Sequence, residues 1–148
     1  MSDLNPSTTS KVSKKIKLDF KESKYATGRR KRSIAKVWLK KGSGNIYVNG
    51  LKMNEYFKRP VHQIIVTRPL EITDSISNYD VRCSVNGGGL SGQAGAIILG
   101  ISRALITFEE NLKGILKKEK LTTRDSRVVE RKKYGRRKAR RSFQFSKR

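Results

Sequence analysis

The sequence predicts an α+β fold: a single compact domain with a mainly antiparallel sheet, a long packed helix and an extended basic C-terminal tail. Residues 33–40 and 79–85 alternate apolar and polar side chains, as strands with one buried face do. Residues 97–112 place apolar side chains three or four residues apart, which indicates a helix. The last 18 residues, RKKYGRRKARRSFQFSKR, contain ten Lys or Arg and no acid. No core can bury that charge density, so we expect this segment to be extended and solvated.

Charge and composition divide the 148 residues into three parts. Residues 1–23 are rich in Ser, Thr and Lys and predict a mobile N-terminal extension. Residues 24–121 hold the apolar periodicity and form the predicted globular RNA-binding domain, and residues 122–148 form the tail. Of the net charge of +23, seventeen units lie in residues 29–41 and 124–148. Such clustering is typical of a folded body with polyanion-binding extensions.

Composition also excludes several classes of protein. Cys83 is the single cysteine and His62 the single histidine, which argues against a disulfide framework, a zinc site or any other metal site. We predict no cofactor. The sequence has no lipidation motif and no apolar run long enough for a bilayer, so nucleic acid is favoured over a membrane as the polyanion. The N-terminus has neither a secretory apolar core nor the Arg-rich composition of a transit peptide, which favours the cytoplasm.

The first predicted strand is residues 33–40, whose inward face holds Ala35, Val37 and Leu39. Residues 41–44 carry a glycine-rich turn signal and lead into residues 45–48, which we expect to be the partner strand. Residues 51–57 favour a short helix that stops before Pro60. Residues 61–77 are ambiguous, because Pro69 interrupts apolar positions that otherwise suggest buried helical turns.

The second clear strand, residues 79–85, turns Val81, Cys83 and Val85 inward. A long helix is expected from about Gly92, with an apolar stripe formed by Ile97, Ile101, Leu105, Phe108 and Leu112. Gly100 lies inside this helix, where glycine costs about 1 kcal/mol relative to alanine. We therefore expect close packing of Gly100 against the sheet, and a helix break at Gly114.

A glycine-rich turn separates the second strand from the long helix. Its sequence, GGGLSG at residues 87–92, matches a nucleotide-binding fingerprint literally. That interpretation also needs an acid at the end of a second parallel strand about 20 residues on, and none is placed there. We therefore interpret the segment as a structural turn, which is built by Gly87, Gly88, Gly89 and Gly92.

Two basic clusters are the candidate phosphate-binding groups. The first cluster leads into a strand, so its side chains must point to both faces of the sheet. A solvated strand entry is the alternative to phosphate contact for these four cations, Arg29, Arg30, Lys31 and Arg32. The second cluster lies in the tail and consists of Arg124, Arg127, Arg131, Lys132, Lys133, Arg136, Arg137, Lys138, Arg140 and Arg141. Interleaved aromatic rings suit single-stranded or looped RNA, and they are Tyr134, Phe143 and Phe145.

Several motifs, all in one order, resemble the small ribosomal subunit protein nine family of bacterial or organellar type. They are TGRRK from residue 27, GGGLSGQAGAI from residue 87, GISRAL from residue 100, TRDSR from residue 123, ERKK from residue 130, RKARR from residue 137 and QFSKR from residue 144. The resemblance covers about residues 24–148. It departs at Ser142 and Phe143, where the bacterial pattern usually has a basic residue and then proline.

The resemblance implies a left-handed β-α-β crossover, as in the second domain of ribosomal protein five of the same subunit. It implies a structural protein, not an enzyme, that binds small-subunit ribosomal RNA in the head beside neighbouring ribosomal proteins. It also implies that the tail reaches the peptidyl-site transfer RNA through Ser146, Lys147 and Arg148. A bacterial ribosome in the cytoplasm is favoured over an organellar one.

Two other classes stay open at the level of the sequence. The resembled fold also occurs in a superfamily of small-molecule kinases with a Gly- and Ser-rich loop, although no acid is placed for magnesium. A nuclear chromatin-associated protein would use the same basic clusters as import signals and DNA contacts. Binding of ATP would support the first class, and preference for duplex DNA over structured RNA would support the second.

Overall fold

The computed structural model describes residues 21–147. Arg148 and all but the last three residues of the predicted N-terminal extension lie outside the described residues. The described elements are β1 (Lys24–Arg30), β2 (Ser33–Lys41), β3 (Ile46–Val48), β4 (Leu51–Lys52), α1 (Met53–Tyr56), α2 (Pro60–Ile72), β5 (Tyr79–Asn86), α3 (Leu90–Phe108) and α4 (Leu112–Lys118).

The strands form one sheet in the order β1-β2-β5-β3-β4. Three pairs are antiparallel, β1 with β2, β2 with β5 and β3 with β4, whereas β3 and β5 are parallel. The predicted α+β class with a mainly antiparallel sheet is therefore confirmed. The chain passes from β3 to β5 through β4, α1 and α2, which forms a β-α-β crossover. The left hand of that crossover stays a prediction.

The two strands with clear alternation lie where the sequence predicts them. In β5 the inward side chains of Val81, Cys83 and Val85 are buried, and the residues between them face away. Burial raises the pKa of the Cys83 thiol, which packs as a small apolar side chain. The strand β2 shows the same alternation over its first seven residues.

The predicted pairing of residues 45–48 with residues 33–40 is wrong, because β5 lies between β2 and β3. The side chain of Asp80 directs this connection. Its Oδ1 accepts hydrogen bonds from the backbone N–H of Ser43 at 3.1 Å and of Asn45 at 2.8 Å. These bonds carry the chain across the end of β5, so β3 docks on the far edge of that strand.

The strand β1 is not revealed by the apolar pattern. Its inward positions between Lys24 and Arg30 are Ala26 and Gly28, which are too small to produce a visible alternation of apolar and polar residues. The strand nevertheless pairs with β2 along its whole length, from Lys24 opposite Leu39 to Arg30 opposite Ser33.

The short and ambiguous helices take definite bounds. The helix α1 lies within the predicted segment 51–57, whose first two residues form β4. The ambiguous segment 61–77 contains most of α2, which begins at Pro60, where the missing N–H of proline costs nothing. Pro69 is accommodated inside that helix and is buried there.

The predicted helical stripe is interrupted earlier than the sequence suggests. The helix α3 ends at Phe108, and both Leu112 and Gly114 belong to α4, so the predicted break at Gly114 is wrong. Glu109 adopts an extended backbone, and its carboxylate accepts a hydrogen bond of 2.8 Å from the Tyr79 hydroxyl. This bond joins residues distant in sequence, so no local pattern predicts it.

The helix α3 is the centre of the core. It packs on β1, β2 and β5 and contacts α2 and α4 on its other sides. Among the described helices it is the one long and apolar enough to cross a membrane by length and composition, so the expectation that no apolar run reaches that length is wrong. More than half of the tested window is buried inside the domain, as expected for a core helix.

The helix approaches the sheet through two glycines, Gly28 on β1 and Gly100 on α3. A Cβ at Gly28 would overlap the carbonyl oxygen of Ala96 and lie 2.5 Å from the Gly100 nitrogen. A Cβ at Gly100 would lie 2.5 Å from Cγ2 of Val37. The close packing predicted for Gly100 is thus confirmed, and Gly28 is its partner.

Replacing Gly28 with alanine should lower the free energy of unfolding by about 1–3 kcal/mol or more, because backbone atoms cannot move aside as side chains do. Urea denaturation followed by circular dichroism measures the change. Gly114→Ala is the matched control, since no heavy atom lies within 4 Å of its added Cβ. It should stabilise the protein by up to about 1 kcal/mol. Equal effects of the two substitutions would contradict the close contact.

Candidate nucleic-acid interface

The β1–β2 hairpin separates the four consecutive cations predicted to contact phosphate. Arg30 pairs with Ser33, so Lys31 and Arg32 form a two-residue turn, with φ of 50° at Lys31. Both turn residues are exposed. Arg29 is exposed on the sheet face opposite α3, whereas Arg30 points to the α3 side. Three of the four cations are therefore available to a polyanion at the hairpin.

Arg30 holds the start of the tail. Its side chain crosses beside Gly95, and its Nε and Nη2 donate to Oδ2 of Asp125 at 3.1 and 3.0 Å. Arg127 binds the same carboxylate through its Nε at 3.0 Å from Oδ1 and its Nη2 at 3.0 Å from Oδ2. The bonds from Arg127 and, to a lesser degree, from Arg30 hold the pKa of Asp125 well below its usual range. The ionised carboxylate therefore bridges hairpin and tail.

A second carboxylate folds the tail on itself. Glu130 forms a two-bond pair with Arg140, whose Nε and Nη2 donate at 3.0 Å each, and this pair lowers the pKa of Glu130. Arg136 donates to the backbone oxygen of Arg140 at 2.7 Å. Beyond α4 the described residues contain no helix or strand, yet residues 130–141 close into a loop.

The glycine turn uses its four glycines in different ways. Gly87 and Gly88 have φ of 73° and 63°, and a Cβ at Gly88 would overlap Oγ of Ser33. Gly92 is buried beneath the same hydroxyl. Gly89 is extended, with φ of −109° and ψ of 168°, and nothing lies within 4 Å of an added Cβ. A glycine-specific conformation is therefore required at Gly87 and Gly88 but not at Gly89.

Side-chain hydrogen bonds fix the turn to the hairpin and to α1. The Ser33 hydroxyl donates to the Gly87 carbonyl at 3.0 Å, and Gln93 donates to the same oxygen at 3.2 Å. Gln93 in turn accepts a hydrogen bond of 2.8 Å from the Tyr56 hydroxyl. The first turn of α3 carries no acid, so the positive end of the helix dipole is not compensated there.

Hairpin tip, glycine turn and tail meet around one groove of about 500 Å³. Its walls and floor are formed by Lys31, Arg32, Gly88, Gly89, Val128, Val129, Glu130, Arg131 and Lys132. Four of these side chains are cationic and one is acidic. The bare backbone of the two glycines lets a ligand approach closely between them. The structure thus brings together residues from both predicted basic clusters and from the predicted turn.

The remaining predicted contacts of the tail do not line this groove. The aromatic rings of the tail, Tyr134, Phe143 and Phe145, are exposed. The Arg137 guanidinium lies over the Phe143 ring, 5.6 Å from its centroid. Ser146 and Lys147 are exposed at the end of the described chain, and Arg148 lies outside it. Outside the groove, the tail's other predicted phosphate contacts are Arg124, Arg127, Lys133, Arg136, Arg137, Lys138, Arg140 and Arg141.

Asp125 and Glu130 form the ion pairs that shape this surface, and reasoning about cations misses both of them. They are the only acids among residues 124–148, which hold twelve Lys or Arg. The presence of two acids in so basic a segment is the sequence signal that could have revealed them, because each has many possible basic partners. Each of the two forms an ion pair in the structure. Among residues 21–147, no group of three or more His, Cys, Asp or Glu is placed to hold a metal ion.

A basic groove, a solvated tail and exposed rings on a small α+β domain define a nucleic-acid-binding protein of structural type. The family model for ribosomal protein S9/S16 matches residues 28–148, and the chain belongs to this family. It is therefore a structural ribosomal protein that binds ribosomal RNA within a ribonucleoprotein and serves translation. It is not an enzyme, which removes the kinase alternative.

Replacing Gly88 with alanine should lower the free energy of unfolding by roughly 1–2 kcal/mol, because φ is positive there. The overlap with Ser33 adds to this loss. Gly89→Ala is the neighbouring control and should change stability by less than about 0.5 kcal/mol. Urea melts of both variants test the difference. A destabilisation by Gly89→Ala as large as that by Gly88→Ala would contradict the geometry of the turn.

Replacing Asp125 with alanine should release the base of the tail from the hairpin. At neutral pH we expect faster hydrogen exchange of the Arg127 amide, which donates to Oδ1 of Asp125 at 3.0 Å. Because the folded pKa lies below the unfolded value of about 3.9, this anchor is fully present above about pH 4. It is lost as the pH falls through the lowered pKa.

Hydrogen exchange read by mass spectrometry provides the measurement. Glu119→Gln is the control, since it breaks the exposed pair with Arg68 elsewhere on the surface. The control should leave exchange at residues 125–128 unchanged. Unchanged exchange in the Asp125 variant would show that the tail is not anchored by this carboxylate.

Proposed function

We propose that this protein is a constituent of the small ribosomal subunit and binds ribosomal RNA of the head through its hairpin, groove and tail. The proposed phosphate contacts are the two basic clusters defined above. Within them, Arg30 mainly holds the base of the tail through its ion pair with Asp125. The observation that carries the proposal is the groove, where cations from the hairpin and from the tail line one cavity together with Gly88 and Gly89. Arginine and lysine beside accessible backbone N–H groups suit phosphate oxygens.

The tail gives the proposal its second part. Its base is held at Asp125, whereas Ser146 and Lys147 at its far end are exposed. A tail fixed at one end and solvated at the other can cross RNA and reach a second partner. We propose that residues 146–148 contact the peptidyl-site transfer RNA, and that neighbouring proteins of the head contact the domain. A bacterial cytoplasmic ribosome is the proposed location, in preference to an organellar one.

Removing residues 146–148 should separate anchoring from contact with transfer RNA. The remaining cations should keep the protein in the small subunit, so sucrose gradients at high salt should show unchanged co-migration. Peptidyl-site affinity of purified subunits should fall by about tenfold, because one or two charge-assisted hydrogen bonds of roughly 1.5 kcal/mol or less after solvent screening are lost. Filter binding of transfer RNA measures this affinity.

The matched control replaces Lys117 and Lys118 in the last turn of α4 with alanine, which removes an equal number of positive charges, two, from another place. These subunits should bind transfer RNA as the unmodified ones do. Equal affinity for truncated and control subunits would leave the tail tip with no role in binding transfer RNA. Absence of the unmodified protein from the small-subunit peak would overturn the whole proposal.

A further inference from the structure

The sheet has a second face that the helices do not cover. The contacts of α3 with β1, β2 and β5 lie on the face that buries Ala35, Val37 and Val81. The opposite face carries Tyr25 and Ile34, which are 49% and 43% exposed. The groove and the tail anchor at Asp125 do not use Tyr25, so this face is available for a separate contact.

Strand register places five side chains in one row across the open face. Tyr25 on β1 lies opposite Trp38 on β2, and Trp38 lies opposite Arg82 on β5. Arg82 is paired with Tyr47 on β3, and Tyr47 with Lys52 on β4. Paired positions share a face, so three rings and two cations form a row of about 19 Å at the usual strand spacing.

Three members of this row, Tyr25, Trp38 and Arg82, are in contact with one another through Trp38. The Tyr25 and Trp38 centroids are 5.4 Å apart with the planes tilted by 44°, and the Arg82 guanidinium lies 5.6 Å from the Trp38 centroid. Such a surface presents flat groups to a partner beside fixed positive charge. Exposed sheet faces of this composition stack two or three unpaired bases.

The charge of the face favours RNA over a protein partner. The outward strand positions carry five cations, which are Arg29, Lys36, Lys40, Lys52 and Arg82. The single acid at these outward positions is Asp80, whose Oδ1 already accepts hydrogen bonds from backbone amides of the loop after β2. A net positive, ring-bearing surface complements phosphates and bases together.

We propose that this open face is a second RNA-binding surface, which stacks unpaired bases of a ribosomal RNA loop on Tyr25 and Trp38. Lys36 and Lys52 meet the phosphates that flank those bases. The inference rests on the binding of ribosomal RNA and adds a site remote from the groove and the tail.

Trp38 is the single tryptophan of the chain, so its fluorescence reports on this face alone. The full-length protein is titrated with a labelled RNA hairpin that has an unpaired loop, and separately with a blunt RNA duplex of equal length. Anisotropy of the label reports binding anywhere on the protein. Loop RNA should quench Trp38, whereas the duplex should bind through groove and tail with little quenching.

Substitutions separate stacking from charge. Tyr25→Ala should raise Kd for loop RNA about fivefold or more and leave Kd for the duplex unchanged. Tyr25→Phe should retain the affinity. Lys36→Gln should make the slope of log affinity against log salt less steep by about 0.7 for loop RNA. Ile64→Ala on α2, whose residue is 61% exposed, is the control and should change neither quantity.

Each other outcome overturns the inference. Saturating anisotropy with unchanged Trp38 emission would show that loop RNA binds only at the groove and tail. A change of emission on deleting residues 1–20, without a response to loop RNA, would assign the face to the chain's own N-terminal segment. No anisotropy change with either RNA would instead refute RNA binding by the isolated protein, and with it the proposed function. If Tyr25→Ala does not fold, the comparison of Trp38 quenching by loop RNA and by duplex RNA in the unmodified protein decides whether the open face binds RNA.

Discussion

The contact between α3 and β1 through Gly28 and Gly100 is the constraint on which the other features depend. It allows helix and strand backbones to approach more closely than any side chain permits. At this separation Arg30 can cross beside Gly95 and reach Asp125, and Gly92 can lie beneath the Ser33 hydroxyl. Hairpin tip, glycine turn and tail base therefore meet at one end of the helix. A wider separation would leave the hairpin tip, the glycine turn and the tail unconnected.

The tail combines strong positive charge with internal order. Its two acids each accept hydrogen bonds from arginines, and one of those arginines belongs to the domain. Exposed ion pairs contribute little to stability. Their importance here is geometric, because they set where the solvated segment leaves the domain and where it turns back.

The sequence predicts those features whose cause is local. The strands β2 and β5 and the body of α3 follow from side-chain periodicity, and the tail and hairpin cations follow from charge. The strand β1 escapes detection because the inward positions at its centre hold Ala26 and Gly28, which are too small to produce an apolar signal. The pairing of β3 depends on Asp80, and the end of α3 on the bond from Tyr79 to Glu109. These contacts join residues distant in sequence, as does the bond from Arg30 to Asp125, so periodicity cannot reveal them.

The ion pairs of Asp125 and Glu130 also bear on how the chain discriminates between polyanions. Arg30, Arg127 and Arg140 already have carboxylates as counter-ions. A phosphate must therefore displace a carboxylate, or share the arginine with it, before it gains the full attraction of that charge. RNA of arbitrary shape therefore binds the tail with lower affinity than the number of cations suggests. A structured RNA that presents several phosphates at once gains enough attraction to replace the carboxylates. The ion pairs within the protein therefore favour a structured RNA site over non-specific binding.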